Sequence, residues 1–403
     1  MKKLLYVSPV SSRSGYGDHA REFAKFLLSM QNVYSIHMLA TPWGNNPSTA
    51  LDDDPELASQ LSNLFIEKSE LSSDYDVYVQ LGMPTEFRPL GKYNIGITAG
   101  VETDIVSDKF IDGCNSMDLV IVPSEFTKSS FLSSNYTHGD ELVKVTTPIE
   151  VVHEYAHESF YTDQPSKTPL SELDSVEEDF CFLFVGQWIK SPTNDGGRKN
   201  IKSLIRTFKH TFSKTQKPPA LILKTHGTNF SISDFHKTQS DIQTLIEDEE
   251  LPTTPNIYLL HGDIEPENLL SIYTHPKVKV FVSHTKGEGF GRPALEASLC
   301  GLPVLISNWS GHMDFLDKKY TSLISGELVN VGFTNEVFTE ESKWIHVNEQ
   351  ESARLMRDLY TNYSKHHESA RILMDINQTQ YTEKSAMLKY IDIFKTLDVG
   401  VVN

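Results

Sequence analysis

Between Val278 and Trp309 the chain reads V-K-V-F-V-S-H-T-K-G-E-G-F-G-R-P-A-L-E-A-S-L-C-G-L-P-V-L-I-S-N-W. A mostly apolar run (Val278 to Val282), a glycine-rich turn, a helical pattern, Gly301-Leu302-Pro303 and a second apolar run follow one another. Apolar runs without alternation suit strands buried on both faces of a parallel sheet, and parallel neighbours need a helical crossover. This stretch therefore commits the chain to a strand-turn-helix-strand unit. Gly287, Gly289 and Gly291 strip the turn of side chains, so its N–H groups can approach a ligand closely. The helix begins near Arg292-Pro293, where a proline's missing N–H costs nothing. A glycine turn opening a helix N-terminus is an anion site.

Glu288 and Glu296 bracket that site. A carboxylate repels a phosphate, so the pair makes better sense as hydroxyl acceptors on either side of one. Polyol, phosphate, polyol is the layout of a nucleotide sugar.

The same alternation runs through the rest of the chain. Leu4–Val7, Ser35–Ala40, Val77–Leu81, Asn94–Ala99, Leu119–Pro123 and Ile149–Tyr155 read as strands of a first sheet, with helical or loop segments between them. Phe182–Val185, Ala220–Lys224, Asn256–Leu260, Val278–Val282 and Val304–Ser307 read as strands of a second. The first strand is followed by Ser11-Ser12-Arg13-Ser14-Gly15-Tyr16-Gly17 and a helical pattern, the opening of a nucleotide-binding α/β unit. At 403 residues the chain exceeds what one core usually supports. The expected division is a first domain over 1–162, a linker over 163–179, a second domain over 180–378 and a closing helical segment over 379–403. Proline, polar residues and like charges without apolar periodicity mark the linker. The net charge of -18 disfavours a generally basic nucleic-acid binder. Three widely spaced cysteines suggest neither a disulfide framework nor a metal knot and fit a reducing cytoplasm. The apolar run after Lys2-Lys3 stops at Val7, too short for a signal peptide.

The segment E-G-F-G-R-P-A-L-E-A-S-L-C-G-L-P-V-L resembles the E-x7-E donor-binding motif of family-4 type retaining glycosyltransferases with the GT-B fold. That resemblance implies two Rossmann-like doubly wound parallel-sheet domains facing a cleft, with the closing helix crossing back to the first. It implies transfer from a nucleotide sugar, UDP- or GDP-linked by preference, with retention of configuration, no metal, and no cofactor beyond the nucleotide sugar as substrate. Arg198-Lys199-Asn200 matches the relatives' R-K-G or R-K-N at a helix start, where the cations hold the donor diphosphate. Gln187 departs from the pattern by standing where an arginine is common, which turns attention to Arg198 and Arg292 as compensating charges. The resemblance implies that Lys199 and the amides around Gly289, Phe290 and Gly291 stabilise the departing diphosphate. Glu288 then holds sugar hydroxyls, Glu296 the ribose hydroxyls, and Gly15 and Gly17 touch the donor phosphates or the acceptor. Where relatives place a histidine after the fourth strand this chain offers Glu102-Thr103-Asp104, with Glu102 the candidate acceptor contact.

The acceptor stays open at this level. A saccharide or lipid-linked saccharide made at the inner face of a membrane is the commonest case for such enzymes, and a hydroxymethylated base in DNA is the alternative. From Gln187 to Lys224 nine basic residues face one acidic residue, Asp195. The Lys190–Lys217 part of that stretch is either a solvated helix face or a contact surface for lipid headgroups or nucleic-acid phosphates. Through Leu170, by contrast, 23 acidic residues face 12 basic ones, which weighs against DNA. A catalytically silent sugar-nucleotide sensor is the reading from another class. Oligomeric state is not legible.

Overall fold

The computed structural model describes residues 1–162, 171–188, 197–227, 230–248, 251–264 and 266–397. They form two compact units. The first is Met1–Glu154 with Thr334–Ser342 and Glu383–Asn403, and the second is Tyr155–Phe333 with Lys343–Thr382. The sequence places the changes at 162, 180 and 379, so 155–162 falls with the second unit, and 334–342 is an excursion that the pattern of apolar runs does not announce.

The first unit is a six-stranded parallel sheet of β1 (Lys2–Ser8), β2 (Tyr34–Ala40), β3 (Tyr75–Leu81), β4 (Gly91–Ile97), β5 (Leu119–Val122) and β6 (Ile149–Val151). Its order is β2-β1-β3-β4-β5-β6. Helix α1 (Gly15–Ser29) starts where the Ser14 hydroxyl accepts from Gly17 N, an N-cap that fixes the helix to the end of the β1 loop. Phe23 and Phe26 on its buried face meet Tyr390 of the terminal helix (Glu383–Thr396) at centroid distances of 5.1 and 5.2 Å.

The second unit repeats the architecture with β7 (Cys181–Val185), β8 (Ala220–Lys224), β9 (Ile257–Leu260), β10 (Val278–Ser283), β11 (Val304–Ser307) and β12 (Ser322–Ile324), in the order β9-β8-β7-β10-β11-β12. Helix α2 (Ile201–Phe212) follows β7, and α3 (Arg292–Leu299) follows β10. The apolar runs are continuous because both faces are covered. Phe182, Phe184 and Val280 join Ile201, Leu204 and Phe208 in one core. Leu183, Phe281 and Ile306 join Ala294 and Leu295 in another. Strand order reverses between β7 and β10, the place where the loops of a doubly wound sheet part and open a ligand crevice at the carboxyl ends. Each unit is thus a Rossmann-like doubly wound parallel sheet, as the sequence implies.

Residues 163–170 of the expected linker lie outside the described residues. The remainder is not a linker in form. Ser171–Ser175 make a 3₁₀ turn that buries Leu173, Val176 follows it into the same core, and Lys277 Nζ donates to the carbonyls of Asp174 (2.9 Å) and Val176 (2.5 Å). Two apolar residues three apart suffice to dock a short turn that charge counting reads as solvated. An antiparallel hairpin of Gly326–Asn330 and Lys343–Val347 also escapes sequence reading. Among the described residues no helix is long and apolar enough to cross a membrane.

Candidate active site

The two strands at the reversal point each lead to a helix N-terminus. Asn200 precedes α2 and Gly291 precedes α3, both in the left-handed region with φ of 50 and 97°. A Cβ at Gly291 would also lie 2.9 Å from His312 Cβ, so this position needs glycine for space and for backbone. The positive ends of two helix dipoles thus open at the same edge of the sheet.

Glu288 is the centre of the arrangement. Its carboxylate accepts from Lys199 Nζ at 2.6 Å, Arg198 Nη1 at 2.8 Å and Thr285 Oγ1 at 2.7 Å, and it is buried. Burial alone would push this carboxyl up; the charges of Lys199 and Arg198 and the bonds to Lys199 and Thr285 outweigh it and hold the group well below the usual carboxylate range. Two cations against one carboxylate leave one formal positive charge beside two helix N-termini. Arg198 Nη1 also donates to Gly287 O at 2.9 Å, and Lys286 N donates to Arg198 O at 2.8 Å, so the β7 and β10 loops are stitched together. The Lys286 ammonium lies 4.5 Å over the Trp344 ring. Asn200 Nδ2, next in sequence to Lys199, is buried with no hydrogen-bond partner among the described residues, a cost that native sites tolerate where a ligand supplies one.

A third segment supports the turn from below, and sequence reasoning gave it no role. Ser310 adopts φ of 84°, rare for a residue with a Cβ. Its hydroxyl accepts from Glu288 N at 2.9 Å, and Gly311 N donates to Glu288 O at 2.9 Å. A Cβ on Gly311 would fall 2.0 Å from Gly289 O. His312 is buried with Nε2 2.7 Å from Ser307 O, and burial lowers its pKa, keeping the imidazole neutral beneath the cations. The signal was the run Ser310-Gly311-His312 just past an apolar strand.

The other expected site residues are placed as follows. Gln187 Nε2 donates to Gly227 O at 2.8 Å, tying the β7 and β8 loops together. Of the two arginines suspected of replacing the missing charge, Arg198 is in the cluster, whereas Arg292 Nη1 is bonded to Tyr155 O at 2.6 Å. Glu296 is buried on α3 and accepts from Tyr273 OH at 2.8 Å. The Phe290 ring packs on Phe315 with centroids 5.0 Å apart, so its side chain belongs to the core and only its backbone can face a ligand. In the first unit, Gly15 has open space where a side chain would stand, whereas a Cβ at Gly17 would lie 1.9 Å from Ser12 O, so that glycine is required by its own loop. Glu102 is half-buried in the turn after β4.

The basic stretch is partly spent inside the unit. Lys190 lies outside the described residues. Arg198 and Lys199 are held by Glu288, Arg206 pairs with Glu349 at 2.6 Å, and Lys209 is buried with Nζ on the carbonyls of Leu245 (3.0 Å) and Ile246 (2.7 Å) at the end of helix Ile232–Glu247. Lys214 and Lys217 stay exposed. Lys202 is half-buried, and the Arg206 guanidinium is exposed beside Glu349, so about half of the described cations in this stretch are held inside the unit.

Residues 173–361 match the model of the family described as Glycosyl transferases group 1. The matched stretch contains the whole Arg198–Lys199–Glu288 cluster. Among curated proteins the chain is similar to the capsular polysaccharide biosynthesis glycosyltransferase CapM of Staphylococcus aureus, with 28% identity over 149 residues. That match covers 37% of this chain and a third (33%) of the relative's length. Among solved structures it is similar to sucrose-phosphate synthase from Thermosynechococcus elongatus, with TM-score 0.64, 12% identity, and 98% and 99% of the two chains covered. It is also similar to Anabaena HepE in complex with UDP and glucose, with TM-score 0.60, 13% identity, and 98% and 100% covered. An E. coli protein described as trehalose-6-phosphate bound with UDP-2-fluoro glucose gives TM-score 0.58, 14% identity, and 98% and 99% covered.

Proposed function

We propose that the protein transfers a glycosyl group from a UDP-sugar to a saccharide or lipid-linked saccharide, with retention at the anomeric carbon and without a metal ion. The observation that carries this reading is the Glu288 carboxylate held between Lys199 and Arg198 at two converging helix N-termini. The cations and the turn amides form an anion cradle at a sheet's reversal point, fit for the charge that develops on a departing diphosphate. Arg198 and Lys199 take the neutralising role that a metal would otherwise fill. Glu288, at the edge of the cradle, accepts from sugar hydroxyls and fixes the anomeric carbon against the phosphate. Glu296, bonded to Tyr273, accepts from the ribose. UDP is favoured over GDP because HepE and the E. coli protein are each described with a uridine diphosphate ligand. The departing phosphate itself takes the acceptor's proton. The engagement of Arg198, Lys199, Arg206 and Lys209 within the unit, with the acidic excess of the first 170 residues, favours a saccharide acceptor over DNA.

A thermal-shift panel of UDP-, GDP-, ADP- and CMP-sugars tests the donor, followed by hydrolysis of the best donor without acceptor. Stabilisation by a UDP-sugar and release of UDP, with the sugar's anomeric configuration retained by NMR, is the expected outcome. Binding with no hydrolysis and no transfer would instead identify a sensor of sugar nucleotides. Preference for another base, or an inverted product, would overturn the corresponding part of the reading.

A further inference from the structure

We propose that the stacked pair Trp43–Tyr16 in the first unit is the platform for the acceptor's sugar ring, and that the sugar taken there is uncharged rather than phosphorylated. This rests on the glycosyl transfer proposed above. Strand order in the first sheet reverses between β1 and β3, so its ligand crevice opens at the carboxyl ends of those strands. Tyr16, at the start of α1, spans that edge. Its hydroxyl lies 3.1 Å from Thr98 Oγ1 and 3.2 Å from Ala99 N after β4, and 3.6 Å from Met83 Sδ after β3. Its ring stacks on Trp43 from the β2 loop at 3.9 Å and 21°. Trp43 remains only half-buried, and the adjoining Gly15 faces open space. An aromatic face with room above it suits the apolar C–H face of a pyranose, while the polar rim of such a site fixes hydroxyls.

The charges at this edge select among sugars. Glu102 and Glu154 stand close enough to act on the Tyr16 hydroxyl, which burial first and then these carboxylates push up. The loop's two guanidinium groups are engaged within the protein. Arg13 grips Asp53 with two contacts, 2.6 Å to Oδ2 and 2.8 Å to Oδ1, and donates to Thr49 Oγ1 at 2.8 Å and Thr49 O at 3.2 Å. Arg21 pairs with Asp18 and donates to Val10 O at 2.9 Å and Ser12 O at 3.0 Å. Arg13 therefore acts as a positioning residue. With Arg13 N on Pro47 O and Ala50 N on Ser11 O it fastens the loop that carries Trp43. A phosphate on the acceptor ring would meet carboxylates and already-paired arginines, a like-charge juxtaposition that disfavours it. Neutral hydroxyls meet acceptors they can donate to.

Saturation-transfer NMR tests this on the full chain, with and without UDP. The probes are the methyl glycosides of glucose, galactose, mannose and N-acetylglucosamine, and glucose 6-phosphate. Ring C–H signals from at least one neutral glycoside are expected for the wild type and for Trp43→Phe. Binding at least tenfold weaker is expected for Trp43→Ala, with glucose 6-phosphate bound no better than the methyl glucoside. Unchanged binding by Trp43→Ala, a preference for glucose 6-phosphate, or no signal from any neutral glycoside would overturn the proposal. The UDP thermal shift reports separately on the second unit, so loss of that shift in the wild type counts against the donor reading alone.

Discussion

Replacing Glu288 by glutamine should weaken the empty protein and strengthen its grip on UDP at the same time. The carboxylate accepts three hydrogen bonds, two of them from cations at 2.6 and 2.8 Å. An amide of the same shape keeps one acceptor oxygen and turns an NH₂ toward a cation, removing the Glu288 charge from between Lys199 and Arg198. Removing one partner of a buried ion pair typically costs about 3–5 kcal/mol. For a unit of this size that corresponds to a fall in Tm of roughly 6–20 °C. UDP brings the missing negative charge, so its stabilising increment in Glu288→Gln should exceed the wild-type increment. Transfer should drop at least about 100-fold, the scale of losing one preorganised electrostatic partner. The pH dependence has a definite sign. The folded-state pKa lies below the unfolded one, so the ionised carboxylate's contribution is complete above the ordinary value of about 4.3 and is lost only as pH falls below it. Glu288→Gln and wild type should therefore differ by a constant amount between pH 5 and 8. Differential scanning fluorimetry with and without UDP reads all of this. A variant melting within about 2 °C of wild type, with an equal UDP increment, would refute the claim that Glu288 restrains the two cations.

Gly311→Ala should displace the turn through its contact with Gly289 O and cost at least about 1–3 kcal/mol, read by urea unfolding, with donor affinity lost in parallel. Lys209→Met removes a buried ammonium from two helix-end carbonyls; about 1–3 kcal/mol of stability should go, while kcat and KM for the donor remain, because the residue is structural. His284, bonded to Ser203 Oγ at 3.0 Å and Ser352 Oγ at 2.7 Å, is held neutral with its pKa lowered to about 4, chiefly by burial. As pH falls below about 6.5 the unfolded chain takes up this proton first, so stability declines toward pH 4. Urea unfolding at pH 7 and pH 5 should show a smaller loss in His284→Gln than in wild type, with His226, also lowered to about 4, sustaining the remainder.

Local patterning carried most of the fold. Phe182–Val185 and Val278–Val282 could hardly be anything but strands buried on both faces, and Arg292-Pro293 marks the start of the helix after the second of them. That Glu288 and Lys199 lie at one sheet edge was legible because each stands at a helix start after a buried strand of the same sheet. What stayed illegible depends on which face of an element meets which partner. Lys209 counts as a surface charge in sequence and is a helix cap in space. Gln187 reads as a missing charge and is a tie between two loops. The positive φ of Ser310 appears only because Glu288 N and O need partners on a neighbouring loop. Leu173 and Val176 look incidental within an acidic run, yet they dock it.

The sequence distance across the donor cradle has a consequence for how the protein is made. Arg198 and Lys199 lie 90 and 89 positions from Glu288, and Ser310 follows a further 22 beyond it. The two halves meet only when β10 pairs beside β7, with Leu183 opposite Phe281. Such distant parallel pairings form late, since loop closure must be met before any contact rewards it. Each half carries only part of the cradle, the cations on one and the glycine turn with Glu288 on the other. A nascent or half-assembled chain thus lacks the complete cluster, and on the proposed reading donor binding would report that the second sheet is finished.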